Sequence, residues 1–334
     1  MQPLSATDAV TPAFTRTRQV LQPFRFGRSW KLAASAYVGR FGSVFIPWPL
    51  LLITPAFLSP PEARVWMATG AAVLLALMLA FFYVFSRMQF VAFDIALTQE
   101  QMIAPIWRRY AGVTWPWTWL KVLIGTAGSL AVAPLFYISL ERMIVNFKPA
   151  GASTQPDPSF FFAIFGMYFL MIAFFLFLGA ISSVLSDFVL PFLAVDRMPI
   201  LTALGRGFDI IKREPVSVLA YFGMKILLAI AGYIAAYVST MVVFVPLYIV
   251  MFVGVFVAAL VRHAGPTVLI LAIVAAVVVG LVFIAALFYV TFLTYGGVTI
   301  FLQAYAIYFL AGRYPALGDL LEPPIPLPDP PILE

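Results

Sequence analysis

Residues 268–292 read VLILAIVAAVVVGLVFIAALFYVTF, a run of 25 residues without a charged side chain. A helix of about 20 apolar residues can cross a bilayer, since each residue rises about 1.5 Å through a hydrocarbon layer about 30 Å thick. The run therefore predicts a membrane span. The composition agrees, because 63% of the residues are hydrophobic and only 10% are charged, against about 25% charged in soluble domains.

Other stretches predict further spans by the same test. Leu32–Leu58 is a weaker span, because Arg40 and three prolines interrupt it. The expected fold class is an all-α, polytopic integral membrane helical bundle with six spans and interfacial amphipathic helices. The four remaining spans of this count are Val65–Phe85, Leu120–Ile138, Phe160–Leu185 and Val216–Tyr237.

One more apolar stretch, Thr240–Val261, makes the number of spans ambiguous. If it crosses the membrane, the chain has seven spans and its C-terminus lies outside. If it re-enters as a hairpin segment, the chain has six spans and the C-terminus lies inside, which is the alternative we prefer. Pro246 and Gly254 permit a broken helix, but only where other protein shields the freed backbone groups.

The sequence also predicts a division of the chain into regions. Matching distances from Phe90-Val91 to Arg108 and from Phe188-Val189 to Arg206 suggest a span–elbow–span repeat. Chance, or the shared physics of such elbows, explains the match equally well. The predicted regions are a cytoplasmic basic-aromatic segment at 1–31, a transmembrane domain at 32–312 with repeat units at about 65–138 and 160–237, and a Pro-rich disordered tail at 313–334.

Basic residues indicate the orientation in the membrane. Fourteen lysines and arginines fall in or beside connections on one side of the predicted spans, and three fall on the other. Cytoplasmic loops carry such an excess, so we expect a multi-pass protein with a cytoplasmic N-terminus. The first 28 residues contain no apolar core of a signal peptide, which agrees with a retained N-terminal segment.

Several of these basic residues are expected to contact anionic lipid headgroups. In the second cytoplasmic connection, apolar and basic residues alternate with helical spacing between Pro199 and Pro215, which predicts a short amphipathic helix. Such a helix either lies in the lipid interface or packs on the ends of its own bundle, or does both. Trp107, Trp115, Trp117 and Trp119 indicate an interfacial aromatic belt. The candidate headgroup contacts are Arg16, Arg18, Arg25, Arg28, Arg108, Arg109, Arg206, Lys212 and Arg213.

Charged residues within or beside the spans form a second group of candidates, since such residues in lipid are costly and often functional. Lys225 lies about 13 Å beyond the start of its span by helical rise. It either extends back toward the interface or pairs with Asp187. Asp94 is the counterpart in the first elbow, with Arg40 or Arg87 as its partner. Structural ion pairs and a transport pathway both remain open.

Catalytic and metal-binding patterns are missing from the sequence. Cysteine is absent and there is one histidine, His263. The chain contains no HExxH, GxSxG or Walker loop. We therefore expect a protein that is not an enzyme and that binds no metal or cofactor.

Several short stretches of the chain are familiar as a set. They are PAFTRTRQVLQPFRFGRSWKL near the N-terminus, SRMQFVAFDIAL and APIWRRY in the first elbow, DFVLPFLAV and ILTALGRGFDII in the second, and FLQAYAIYFL near the end. Through them the sequence resembles a family of uncharacterised bacterial and archaeal multi-span membrane proteins. Some members are similar to the membrane domain attached to glycerophosphodiester phosphodiesterases. The resemblance implies the plasma membrane, or cell inner membrane, of a prokaryote, and it supplies no activity.

Two functions follow as hypotheses. The first is a non-enzymatic membrane scaffold that organises lipids or partner proteins, with anionic headgroups as partners, other membrane proteins as further partners and no nucleic acid. The second is a transporter of small solutes or lipids that uses Lys225, Asp187 and Asp94. A carrier needs these charges to face a shared, water-filled cavity.

Overall fold

The computed structural model of the chain describes residues 2–48, 60–146, 158–261 and 265–322. These residues are largely helical, and none of them belongs to a β-strand. Five of the helices are long and apolar enough to cross a membrane. The expected all-α class is therefore confirmed for the described part of the chain, and the length and composition of its helices agree with a multi-pass membrane protein.

Eleven helices follow one another in the described residues. They are α1 (Val10–Leu21), α2 (Phe26–Phe41), α3 (Pro61–Thr98), α4 (Ile103–Arg109), α5 (Ala111–Asn146), α6 (Pro158–Phe188), α7 (Leu190–Val195), α8 (Ile200–Arg213), α9 (Pro215–Val261), α10 (Pro266–Ala311) and α11 (Pro315–Leu321).

Prolines mark where many of these helices begin. A proline is the first residue of α3, α6, α9, α10 and α11. Its fixed φ suits the first helical position, and its missing N–H would have no partner in the first turn. Gly265 precedes α10 with φ 102°, a left-handed conformation that favours glycine. The predicted helix between Pro199 and Pro215 is confirmed as α8.

The apolar helices are much longer than one bilayer crossing requires. The longest, α9 and α10, contain 47 and 46 residues. At about 1.5 Å per residue, each is about 70 Å long, against a hydrocarbon layer of about 30 Å.

The structure corrects the prediction for Thr240–Val261. This stretch is neither a separate span nor a re-entrant segment, because it continues α9 without a break. Pro246 lies inside the helix and does not end it. A proline removes one backbone hydrogen bond, which an otherwise regular apolar helix tolerates. The described residues contain five candidate spans, so the predicted count of six or seven is not confirmed.

The predicted first span also differs from the structure. Helix α2 ends at Phe41, and residues 44–47 have no helical structure, so Leu32–Leu58 is not one continuous helix. Residues 49–59 of this stretch lie outside the described part of the chain. The helix ends where Gly42 comes close to α3. A Cβ atom at Gly42 would lie 2.6 Å from the carbonyl carbon of Phe85.

The predicted tail is wrong in its first ten residues. Helix α11 begins at Pro315, and Leu317 is fully buried within it. Just before it, Arg313 forms a salt bridge of 2.9 Å with Glu214. Burial and ion pairing therefore order residues 313–322 in spite of the nearby prolines. The remainder of the predicted tail, residues 323–334, lies outside the described part of the chain.

The chain divides into two compact units that are discontinuous in sequence. Unit 1 contains residues 1–40, 91–107 and 209–334, and unit 2 contains residues 41–90 and 108–208. In unit 1, α10 packs against α9, α1 and α11, and in unit 2, α6 packs against α5 and α7. The units do not follow the predicted repeat at 65–138 and 160–237, which stays a prediction.

Candidate functional site

A buried lysine lies at the centre of unit 2. Lys121 on α5 is 3% exposed, and its Nζ donates three hydrogen bonds. The acceptors are the carbonyl oxygen of Gly42 at 2.6 Å, Ser86 Oγ at 2.8 Å and Gln89 Oε1 at 2.8 Å. An ammonium group has three N–H donors, so this geometry satisfies all of them. The site therefore offers one oxygen partner for each of the three N–H groups.

The residues that follow α2 supply part of this site. Ser182 Oγ on α6 donates to the carbonyl oxygen of Ser43 at 2.8 Å, while Gln89 Nε2 on α3 donates to Ser43 Oγ at 3.3 Å. Non-helical backbone within an apolar bundle needs such partners, because its N–H and C=O groups have none within a helix. The segment after Phe41 is thus held by α3, α5 and α6 together.

Close packing on α5 makes room for this segment. A Cβ atom at Gly125 would overlap the backbone oxygen of Phe45. Phe45 is 2% exposed and packs against Phe82, with ring centroids 5.0 Å apart. Gly125 therefore allows the chain after α2 to lie directly on α5, one turn beyond Lys121.

Aromatic rings also face the lysine. The rings of Phe82 and Trp117 each lie 5.0 Å from Lys121 Nζ, within the range of cation–π attraction. Trp117 donates its indole N–H to Gln89 Oε1 at 2.9 Å. Within the described residues, no carboxylate lies at salt-bridge distance from Lys121. Neutral oxygens and ring faces thus surround the Lys121 amino group.

A small cavity adjoins the lysine in unit 2. Ser43, Lys121 and Ser182 supply its polar lining, and the remaining lining is mainly apolar. The cavity measures about 10 Å³, which is about the room that one water molecule needs. It has no room for a solute, so the arrangement is suited to holding the bundle together.

One signal for this site is present in the sequence. Lys121 falls inside the predicted span Leu120–Ile138, and an ionisable residue within a span is a candidate by default. The excess of basic residues beside the spans accounts for it equally well. The prediction of an interfacial belt is wrong for Trp117, which is 1% exposed and belongs to the lysine site. Trp115 and Trp119 are half exposed, which fits an interfacial position.

In unit 1, Arg16 binds the end of α3. Its guanidinium donates to the carbonyl oxygens of Ala96, at 3.0 Å, and Leu97. These carbonyls belong to the last turn of α3, where no helical N–H is available. Burial lowers the pKa of Arg16 from its ordinary value, and a favourable interaction with Tyr308 opposes that shift. A structural contact therefore occupies this candidate headgroup residue.

Arg313 joins three parts of unit 1. Its Nε and Nη2 both bind Glu214 Oε2, at 3.0 and 2.9 Å. Its Nη1 donates to the carbonyl oxygens of Leu4 and Phe309, and its guanidinium lies 4.0 Å from the Phe309 ring centroid. The N-terminus, the start of α9 and the end of α10 therefore lie at one end of this unit.

Most candidate headgroup residues are exposed. Arg28 is half-buried and donates to Gln101 Oε1, and Arg16 is half-buried as described above. Arg206 lies 4.0 Å from Asp196, with more than half of its side chain exposed. The exposed candidates are Arg18, Arg25, Lys212 and Arg213 in unit 1 and Arg108, Arg109 and Arg206 in unit 2.

Helix α8 packs on the bundle, which is one of its two predicted roles, and its position in a lipid interface stays a prediction. Ala203 and Gly207 are buried, and a Cβ atom at Gly207 would lie 2.6 Å from the backbone oxygen of Phe188. The helix thus packs through small residues on the end of α6. Leu201 and Phe208 remain exposed, at 78% and 46%, and are available to lipid.

The four charges predicted within or beside spans fall in different units. Asp187 belongs to unit 2 and is buried, and Ser183 Oγ and Ser186 Oγ donate to its carboxylate at 3.2 and 3.3 Å. Lys225, Asp94 and Arg40 belong to unit 1. The predicted pairs of Lys225 with Asp187 and of Asp94 with Arg40 or Arg87 stay predictions.

Aromatic rings lie near two of these charges. Lys225 Nζ lies 6.0 Å from the ring centroid of Tyr221, and the Arg40 guanidinium lies 4.5 Å from that of Tyr233. Asp94 is 1% exposed. Among the described residues, no group of three histidine, cysteine, aspartate or glutamate side chains could hold a metal ion. His263 lies outside the described part of the chain.

Comparison with known proteins gives a family without a known activity. No curated protein and no solved structure matches the chain. Nothing in the comparisons connects it with the membrane domain of glycerophosphodiester phosphodiesterases, so that likeness stays a prediction. A family model matches residues 4–320, nearly the whole chain. The chain therefore belongs to DUF7544, a family of unknown function.

Proposed function

We propose that this protein is a non-enzymatic component of the prokaryotic plasma membrane that organises anionic lipids at a basic-aromatic surface. Its N-terminus lies in the cytoplasm in this proposal, and headgroup phosphates bind to its arginines and lysines. Other membrane proteins are further partners, and nucleic acid is not one. The likeness to the membrane domain of glycerophosphodiester phosphodiesterases belongs to the same proposal, as a likeness of membrane architecture only.

The observation that carries the proposal is the surface formed by α1, α2 and their connection in unit 1. Arg18 and Arg25 are exposed there, and so are Phe14, Phe24 and Phe26, at 63%, 53% and 70%. Exposed aromatic rings beside exposed basic groups are typical of segments that lie in a lipid interface. Each basic residue near an anionic membrane surface contributes about 1 kcal/mol to binding.

Unit 2 offers a second surface of the same character. Helix α8 exposes Leu201 and Phe208 on one face and Arg206 on another, as an amphipathic helix in a lipid interface does. Its small residues pack on the bundle, so the exposed face has a fixed orientation within this unit. A fixed basic-apolar face binds a lipid interface without first having to fold.

The test measures lipid preference with the full chain. The protein is reconstituted in phosphatidylcholine nanodiscs with dibrominated phosphatidylglycerol or dibrominated phosphatidylcholine. Quenching of its tryptophans gives the relative affinity for the two lipids. We expect a preference for phosphatidylglycerol that falls about fivefold in Arg25→Gln, which is the equivalent of about 1 kcal/mol.

Arg64→Gln is the matched control, since it removes an exposed arginine from the side predicted to face away from the cytoplasm. It should leave the preference unchanged. Equal affinities for the two lipids in the unsubstituted protein, or equal losses in the two variants, would contradict the proposal.

A carrier of small solutes or lipids is the second candidate, motivated by Lys225, Asp187 and Asp94. The cavity beside Lys121 has room for about one water molecule and is not lined by any of these three residues. Uptake of a labelled solute into proteoliposomes, lost in Asp94→Asn and Asp187→Asn, would favour the carrier over the scaffold.

A further inference from the structure

The length of the α9–α10 hairpin raises the question of which part of it lies in lipid. Each helix is about 70 Å long, and a hydrocarbon layer of about 30 Å covers less than half of that. Tilt does not remove the difference, because the average tilt of a span, about 20°, lengthens the crossing only slightly. About half of the hairpin must therefore lie outside the hydrocarbon.

Helix α2 crosses this hairpin over a narrow band. The rings of Phe26 and Trp30 lie 4.5 and 6.3 Å from the ring of Tyr289, measured between centroids. The ring of Tyr37 lies 5.9 Å from Phe292 and 6.0 Å from Tyr295. The Arg40 guanidinium lies 4.5 Å from the ring centroid of Tyr233 on α9. Ala33 backbone lies directly against Gly296. The α10 residues in this band cover about 10 Å of helix, whereas the 16 residues of α2 are about 24 Å long. Helix α2 thus runs across the hairpin, not along it.

The band has the composition of a lipid interface. Lys31 and Arg40 are exposed on α2, and Arg28 is half-buried. Trp30 and Tyr37 lie on the same helix, and Tyr289 and Tyr295 of α10 face them. Tryptophan, tyrosine and basic side chains concentrate where headgroups meet hydrocarbon, because an apolar ring and a polar or charged tip are both satisfied there.

We infer that α2 lies at the headgroup level and that the α9–α10 hairpin enters the hydrocarbon only on the far side of it. Tyr233 to Val261 measures about 42 Å along α9, and Pro266 to Tyr289 measures about 35 Å along α10. Each distance is sufficient for one crossing with moderate tilt. The rest of the hairpin, residues 215–232 and 297–311, forms a base on the water side with α1 and α11.

Contacts of α1 support this placement of the base. Helix α1 packs along α10 beyond the band. Phe14 lies 6.5 Å from Phe301, and Tyr305 donates to the carbonyl oxygen of Ala6 at 2.9 Å. The exposed side of α1 carries Arg18. A charged surface of this kind is costly in hydrocarbon but not among lipid headgroups, so the part of α10 that α1 contacts lies at the headgroup level or on the water side of it.

The far half of the hairpin, residues 233–261 and 266–289, contains no charged residue, whereas the base contains Lys225 besides exposed apolar residues of α9 such as Val216. Leu271, Val274, Val278 and Val282 of α10 are each more than half exposed, and they lie in the stretch 268–292 that has no charge. Lipid is the solvent that suits such a surface. Lys225, by contrast, belongs to the base, so its charge needs no partner within the hydrocarbon.

The absence of cysteine in the sequence gives a direct test, since single cysteines can be introduced without background labelling. Leu271→Cys and Leu219→Cys form a matched pair, because both leucines are exposed, at 64% and 75%, and lie on different sides of the band. Each variant and Lys31→Cys carries a nitroxide label in phosphatidylcholine nanodiscs. Power saturation then compares accessibility to oxygen and to a water-soluble nickel chelate.

We expect the label at position 271 to be more accessible to oxygen and the label at position 219 to be more accessible to the nickel chelate. The ratio of the two accessibilities should be intermediate at position 31. Oxygen favoured at both leucine positions, or a label at 31 deep in hydrocarbon, would overturn the inference. The inference rests on the proposed insertion in a bilayer, and nickel favoured at 271 would refute that insertion as well. It does not depend on anionic lipid, because the nanodiscs are uncharged, so failure of the lipid preference leaves it standing.

Discussion

The ammonium group of Lys121 donates a hydrogen bond of 2.6 Å to the backbone carbonyl of Gly42, the first residue after α2. The bond connects residues 79 positions apart in sequence and lies in the interior of unit 2. It provides a partner for the chain at the point where regular helix ends. A lysine within an apolar helix thus has a structural use that needs no transported ion.

Replacing this lysine should destabilise the protein strongly. Lys121→Met keeps the apolar stem but leaves the oxygens of Gly42, Ser86 and Gln89 without their shared donor. Unsatisfied buried polar groups cost about 1–3 kcal/mol each, partly relieved by rearrangement, so we expect a loss on the order of 2–3 kcal/mol. Unfolding in mixed micelles by sodium dodecyl sulfate measures it.

The control for this prediction is Lys212→Met, which removes an exposed lysine from the end of α8. Surface changes of this kind shift stability by about 0.5 kcal/mol or less. Similar losses in the two variants would show that the buried hydrogen bonds of Lys121 contribute little.

Gly125 should be intolerant of any side chain. A Cβ atom there overlaps the backbone oxygen of Phe45, and backbone atoms cannot rotate away as a side chain can. Gly125→Ala should therefore cost about 3 kcal/mol or more, or prevent folding. Gly112→Ala, near the start of the same helix, meets no atom within 4 Å and should be neutral or slightly stabilising. Thermal unfolding in detergent compares the two, and equal midpoints would contradict the close approach.

Substitutions of Arg16 and Arg18, both on α1, should have different effects, because Arg16 makes a structural contact and Arg18 is exposed. Arg16→Gln removes the guanidinium that binds the carbonyl oxygens of Ala96 and Leu97, so amide exchange near the end of α3 should speed up. Arg18 is exposed, and its guanidinium donates to Gln22 on the same segment. Arg18→Gln should leave that exchange unchanged while weakening the preference for phosphatidylglycerol. Hydrogen–deuterium exchange measures this. Faster amide exchange in Arg18→Gln, with no change in Arg16→Gln, would contradict the structural role of Arg16.

The Arg313 network should require arginine, not only a positive charge. Arg313→Lys keeps the charge but loses the fork that binds Glu214, Leu4 and Phe309 together. We expect a loss of about 1–3 kcal/mol and earlier proteolysis of the N-terminus, measured by limited digestion in detergent. Glu214→Gln retains hydrogen-bonding capacity and should cost less. Digestion of the lysine variant at the original rate would contradict this assignment.

Local patterns in the sequence predicted much of the secondary structure. The stretch 268–292 lies within α10, and Pro199 and Pro215 enclose α8, because length, apolarity and proline act over a few residues. The same patterns failed for Thr240–Val261. They predict a segment separate from the preceding span, whereas in the structure it continues the same helix, α9. They failed again for residues 313–322, because Pro315 begins a helix in which Leu317 is buried.

What the sequence determined by itself is that the chain is helical and suited to lipid, since apolar content and helix length need no knowledge of tertiary contacts. Only the tertiary structure decided which polar groups meet. Lys121 reaches Gly42 across 79 residues, and Arg313 reaches Leu4 across 309. In an apolar bundle each buried polar group must find a partner wherever the packing places one, so these pairs depend on three-dimensional contacts that spacing along the chain does not encode.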